Sequence, residues 1–166
     1  MMKDKFETER LVLTRLAPSN TSFIKELLNT PGWIKYIGDR NIKTIANAEK
    51  YIKNITDNPS INYWVVSLKA TGVELGIITF IKKDYLEHHD IGFAFLPQYS
   101  GKGYAHEAAA EVLNYARNEL KTQPVIAVTI PENEGSIKLL KKLGFSFEKT
   151  LTRENEVLNI YSTNTD

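Results

Sequence analysis

Apolar residues recur along the chain at two spacings, and the switch between them divides it into elements. Between residues 9 and 16, Leu11, Leu13 and Leu16 set against Arg10, Thr14 and Arg15 in the two-residue repeat of a half-buried strand. Pro18 closes it, and Ser19 or Asn20 can cap the helix that follows, in which Phe23, Ile24, Leu27 and Leu28 recur at about one helical turn. Asn29-Thr30-Pro31-Gly32 breaks that helix. Residues 33–41 then read as a loop, unusually apolar for a connection, with Trp33, Ile34, Tyr36 and Ile37. Such a loop either folds over a pocket or packs on the core. A second helix is predicted over 44–56, with Ile45, Ala48, Ile52 and Ile55 on one side, and Asp57-Asn58-Pro59-Ser60 ends it.

The middle of the chain changes to strand chemistry. Residues 62–68 and 74–82 are rich in β-formers and flank Lys69-Ala70-Thr71-Gly72, a hairpin signal. A third strand, 90–96, carries large side chains at Ile91, Phe93 and Phe95 and small ones at Gly92 and Ala94. Pro97 ends it, having no N–H to give to a ladder. Three strands on short connections predict an antiparallel meander. A helix over 104–120 stacks Ala105, Ala108, Ala109, Val112, Leu113, Ala116 and Leu120 on one stripe, with Glu107, Glu111, Asn114 and Arg117 facing away. A short apolar strand at 125–130 completes a right-handed strand–helix–strand unit. A helix over 134–142 stops at Gly144, and residues 156–161 can add a last strand.

With 166 residues, 42% of them hydrophobic, and no linker or repeat, the chain is expected to form one domain over residues 1–166. A net charge of +1 argues against a nucleic-acid partner. No apolar run approaches ~20 residues, so no membrane span is expected. The charged N-terminus is unlike a signal peptide, and a cytoplasmic protein, monomer or homodimer, is the expectation. There is no cysteine, and His88, His89 and His106 lack the spacing of metal ligands, so no metal is expected.

The chemistry concentrates after the third strand. Ser100-Gly101-Lys102-Gly103 leads straight into a helix, so unpaired backbone N–H groups gather at the positive end of a helix dipole. That arrangement suits an anion such as phosphate. The stretch lacks the Gly-x-x-x-x-Gly-Lys-Ser/Thr of an ATP-binding loop, which argues against a nucleotide-binding protein of that kind.

Leu96-Pro97-Gln98-Tyr99, then Ser100-Gly101-Lys102-Gly103-Tyr104-Ala105 and an alanine-rich helix, resemble the acyl-CoA-binding core of the GNAT N-acetyltransferases. Asn133-Glu134-Gly135-Ser136, closing on Leu143-Gly144-Phe145, resembles the superfamily's second signature. Thr8-Glu9-Arg10-Leu11 through Arg15-Leu16 resembles the opening strand of its RimJ/RimL-like branch, which contains ribosomal-protein N-terminal acetyltransferases. The resemblance departs at Ser100, where the superfamily usually carries Gln or Arg. It implies an α/β (α+β) fold with a mixed, mostly antiparallel twisted sheet of about six to seven strands, splayed at the central pair and flanked by about four helices.

It also implies roles. Acetyl-CoA would be the co-substrate, with Ser100, Gly101, Lys102, Gly103, Tyr104, Ala105 and His106 around its pyrophosphate. Phe93, Ala94 and Phe95 would pair with its pantetheine arm, beside a bulge near Gly92 and Ala94, and Asn133 would reach the arm from the other side. Many relatives protonate the leaving thiolate with a tyrosine; Leu140 stands at that position here, and Ser136 is the nearest hydroxyl on the same helical face. Ser136 would act as proton donor, sulfur hydrogen bond or water relay, unless Asn133 and Ser136 simply start the helix. Asp90 is the candidate base, acting through water, against the alternative of a solvated surface aspartate. Glu87, His88 and His89 are neighbours without a positional argument. The acceptor would be a small amine or a protein N-terminus, in a pocket built from the first two helices and the 33–41 loop with Trp33 and Tyr36. That loop offers only Asp39 as a carboxylate for a polyamine. The rival reading is a coenzyme-binding sensor or subunit without turnover.

Overall fold

Every strand and helix predicted from periodicity forms, within two residues at each end, and three further elements join them. The computed structural model describes residues 2–163. Its strands are β1 (Lys5–Glu7), β2 (Leu11–Arg15), β3 (Ile61–Leu68), β4 (Glu74–Ile81), β5 (Asp90–Phe95), β6 (Ile126–Thr129), β7 (Ser146–Arg153) and β8 (Glu156–Ser162). Its helices are α1 (Thr21–Leu28), α2 (Pro31–Tyr36), α3 (Ile45–Thr56), α4 (Tyr104–Asn118) and α5 (Glu134–Lys142). The strands form one mixed sheet in the order β1-β2-β3-β4-β5-β6-β8-β7. The expectation of six to seven strands and four helices is therefore corrected to eight and five among the described residues.

The sheet is buried on both faces, which explains the unbroken apolar runs of β3 and β4. Trp64, Val66, Ile78 and Phe80 pack on one face with Ala108, Ala109, Val112 and Ala116 of α4. Val65 and Ile77 face the other way, against Ile24, Leu27 and Leu28 of α1 and Ala48 and Ile52 of α3. The alanines let α4 lie close to the strands. Ile45, predicted on the buried side of α3, is exposed. Asn20 does not cap α1; its amide spans instead from the Ala17 N–H to the Glu74 carboxylate.

Three elements escape periodicity for physical reasons. β1 buries only Phe6, edge-on to Trp64 and Tyr115. α2 begins inside the expected break and takes up residues 33–36 of the stretch read as a loop, because Pro31 suits a first helical turn and the Thr30 hydroxyl accepts from the Trp33 N–H at 3.3 Å. β7 is exposed along most of its length and is placed by a two-residue turn to β8. Glu154 and Asn155 in that turn are both left-handed, as a type I′ hairpin requires.

The break in the sheet positions the site. β3, β4 and β5 form the predicted antiparallel meander, but β5 and β6 share a single parallel register pair, Asp90↔Ile126. Beyond it the two strands diverge. The bulge expected near Gly92 and Ala94 is absent: β4 pairs with β5 without a register shift from Gly76 to Ile81. The shift lies instead between β3 and β4, at Val66/Ser67. Gly92 serves close approach, since a Cβ there would stand 2.6 Å from the Thr79 hydroxyl.

Candidate active site

Two adjoining cavities open into the wedge between β5 and β6. The larger, about 700 Å³, runs from the wedge to the glycine turn. The smaller, about 230 Å³, reaches inward to Asp90. Trp33, Tyr36, Phe93, Ala94, Asn133 and Ser136 line both. Of the residues singled out in the sequence, the larger cavity also gathers Phe95, Ser100, Gly101, Gly103, Tyr104, Ala105 and His106. Lys102 is not on its wall. Glu87, His88 and His89 line neither cavity, and His89 is instead stacked on Phe80 at 4.8 Å.

The glycine turn has the geometry of an anion cradle. Gly101 and Gly103 have φ of +76° and +81°, and Gly103 is the residue that opens α4. Left-handed backbone at this corner turns the chain so that the first helical N–H groups face outward. The turn is clasped from the far end of the chain. Arg10 donates from Nη1 to the Lys102 carbonyl at 3.0 Å and from Nε to Glu107 at 2.7 Å, with its guanidinium 4.5 Å over the Tyr104 ring. Glu107 also accepts from the Thr8 hydroxyl at 2.5 Å and the Arg10 N–H at 2.9 Å. Glu107 was expected to face away; it is the bolt between the Thr8–Arg10 turn and α4.

Partial burial alone would raise the Glu107 carboxyl, but the Thr8 hydroxyl and the two Arg10 donors hold it below its ordinary value. A carboxyl lowered in the folded state stabilises the fold above its unfolded pKa, and that stability is lost as pH falls through the folded value. Thermal melts from neutral to acid pH should therefore show an acid-dependent loss that is reduced in Glu107→Gln. An identical acid limb in that variant would remove the clasp from the stability of the turn.

Across the wedge, α5 starts at Asn133, whose Oδ1 accepts from the Ser136 N–H at 3.2 Å. The capping reading of Asn133 is thus realised, yet its amide also lines both cavities, so capping and ligand contact are compatible. The Ser136 hydroxyl carries no hydrogen bond to the described residues. Leu140 is buried below it. Lys138 and Lys142, one helical turn apart, add cations to the wall of the larger cavity; the spacing was visible, its direction was not.

Asp90 is not a solvated surface aspartate. It is 4% exposed at the vertex of the wedge, with Lys83 Nζ 2.9 Å from Oδ2, a contact that lacks hydrogen-bond alignment. Burial raises its carboxyl above the ordinary range, and Lys83 offsets this only in part. The acceptor-side walls differ from expectation as well. Neither α1 nor α3 contributes; Tyr63, Ile77 and Thr79 of the sheet do, and Arg40 rather than Asp39 lines the cavity. Among the described residues no group of three or more His, Asp or Glu gathers in a way that could hold a metal ion. No helix among them is long and apolar enough to cross a membrane.

A wedge-split sheet with a glycine turn feeding a helix at its mouth defines an acyl-coenzyme transferase scaffold. Residues 10–146 match the acetyltransferase (GNAT) domain model, and the chain belongs to the GNAT family of acetyl-CoA-dependent acyltransferases. It is 30% identical over 154 residues to the uncharacterized N-acetyltransferase YnaD of Bacillus subtilis, covering 90% of this chain and 89% of that one. It is 25% identical over 145 residues to the spermidine N(1)-acetyltransferase of Escherichia coli, covering 86% and 76%. The crystal structure of the ribosomal-protein-S5-alanine acetyltransferase of Vibrio fischeri superposes with a TM-score of 0.80 at 20% identity, covering 99% and 98%.

Proposed function

We propose that the chain transfers the acetyl group of acetyl-CoA to a primary amine by direct attack. The acceptor is a protein N-terminal α-amine, as in the RimJ/RimL-like branch, or a small amine. The observation that carries this is the wedge itself. An elongated donor site runs from the glycine turn along the edge of β5, and a separate, smaller cavity meets it at Asn133 and Ser136. The ribosomal-protein and spermidine acetyltransferases among the similar proteins both act on amines by name.

In this reading the N–H groups around Gly101–Ala105 hold the pyrophosphate, with Lys138 and Lys142 adding positive charge. The edge of β5 released after Asp90 pairs with the pantetheine arm as an added strand would. The arm is thereby fixed with its thioester beside Ser136. The acceptor ammonium gives one proton toward Asp90, directly or through water, and the free amine attacks the acetyl carbonyl. A C–N bond forms, the C–S bond breaks, and the second nitrogen proton leaves as sulfur takes one up. Asp90 suits the first transfer because burial brings its pKa closer to that of a useful base. Ser136 suits the sulfur side, donating or relaying a proton.

Ser136→Ala is expected to lower kcat at least about a hundredfold, the weak end of general-acid effects, with coenzyme affinity kept. The Asn133 cap survives this change because it uses the Ser136 backbone N–H. Free-thiol release from acetyl-CoA across an amine and peptide panel tests the whole reading. Tight coenzyme binding with no release on any acceptor would replace it with the sensor, the reading that Leu140 in place of a tyrosine favours.

A further inference from the structure

We propose that the acceptor amine carries a carboxylate, held by Arg40 and the Trp33 indole N–H beside Tyr63 while the amine lies toward Asp90. This rests on the acetyl-transfer reading of the same cleft and narrows its substrate class.

The charge on the cavity walls comes first. The ionised side chains lining the smaller cavity are Arg40, Lys83 and Asp90. Lys83 and Asp90 neutralise each other at 2.9 Å. Arg40 has no carboxylate within ion-pair distance among the described residues. Its neighbour Asp39 is engaged elsewhere, accepting from the Asn41 N–H at 2.8 Å, with Lys43 at 4.0 Å. The cavity therefore presents one uncompensated guanidinium, a group built to donate in pairs to carboxylate oxygens.

Two buried polar atoms then define the ends of the ligand. Trp33 Nε1 is a buried donor without a hydrogen-bond partner among the described residues, and Asp90 Oδ2 is a buried acceptor met only by the poorly aligned Lys83 ammonium. Buried polar atoms are rarely left unpaired, so the unmatched indole N–H calls for an acceptor on the ligand, while the incompletely satisfied Asp90 carboxylate has room for a donor besides Lys83. An ammonium answers Asp90; a carboxylate oxygen answers Trp33. Tyr63 adds a third donor. Its hydroxyl lies 3.0 Å from that of Tyr51. Burial keeps both phenols protonated, with Arg40 alongside them. If Tyr51 passes its hydrogen to Tyr63, the Tyr63 O–H is left to point into the cavity.

Size and exclusion agree. A cavity of about 230 Å³ has the volume of roughly eight waters, room for an amino acid or dipeptide end. A polyamine would set a second ammonium against Arg40, and like charges at that range select against it.

Thiol release from acetyl-CoA should be compared for matched amines: ornithine against putrescine, glycylglycine against glycylglycinamide, and spermidine. The carboxylate-bearing member is expected to show kcat/KM at least about tenfold higher in each pair. In Arg40→Gln that ratio should collapse toward one, and Arg40→Lys should restore part of it. Coenzyme affinity of each variant reports that the fold is retained. Calorimetric binding of the same pairs to the coenzyme A-saturated protein separates this inference from the reading it rests on. Carboxylate-selective, Arg40-dependent binding without thiol release keeps the inference and overturns acetyl transfer. Thiol release with no carboxylate preference, or with spermidine preferred, overturns the inference and leaves acetyl transfer standing. Failure of every carboxylate-bearing amine to bind or react overturns it outright.

Discussion

Gly103→Trp is expected to abolish measurable coenzyme A binding, a loss of at least about a hundredfold, while the protein still folds. Gly103 holds φ of +81°, a conformation that costs an L-residue roughly 1–2 kcal/mol. A Cβ there would also stand 3.3 Å from Arg10 Nη2, so the indole must displace either the guanidinium or the anion. Either way the amides that open α4 lose their common direction. The residue is exposed, and the core beneath α4 is made by Ala108, Ala109 and Val112, so global stability should change little. Calorimetry with coenzyme A, paired with a thermal melt, checks both halves. Unchanged affinity would remove the glycine turn from the donor site.

Asp90→Asn should lower kcat/KM about a hundredfold or more, the ordinary range for loss of a general base, and leave coenzyme affinity intact. The raised carboxyl predicts the shape of the rate profile. The base works only when ionised, so the parent's kcat/KM should rise with pH through a value above the usual carboxylate range, and the variant should lack that limb. Stability moves the opposite way. A group whose folded pKa is raised binds protons more tightly when folded, so its contribution falls as pH climbs from the unfolded to the folded value. The amide removes this penalty, and Lys83, about a third exposed, can turn toward water. A variant with an unaltered acid limb would show that Asp90 only holds Lys83.

How much of this was legible in the sequence depended on whether a residue's role was local. The alternation in β2 and β5, the β-former runs of β3 and β4, the alanine stripe of α4 and the cap and glycine stop of α5 are set within a few residues, and the structure bears them out. β1 and β7 were not, because one is three residues long and the other faces water on both sides. Helical geometry correctly placed Glu107 off the buried stripe of α4, but no local rule brings Thr8 and Arg10 to it from 99 and 97 positions away. Asp90 misled for a related reason. An aspartate opening a strand is ordinarily solvated; this one is sealed because β6 touches β5 only there. Arg40 and Lys83 lie in connections, and only the tertiary arrangement turns them toward a common cavity.

The single pair joining β5 to β6 leaves the sheet as two leaves meeting at one seam, with backbone groups along the gap that a continuous sheet would have satisfied. The fold forgoes that cohesion in its empty state. On the proposed donor site, a coenzyme arm laid into the gap would supply the missing strand and add its binding free energy to the resistance of the whole chain to unfolding. Supply of the donor therefore sets more than the rate of acetylation. By the same linkage, donor concentration would raise the folded fraction of the protein and slow its proteolysis through the unfolded state.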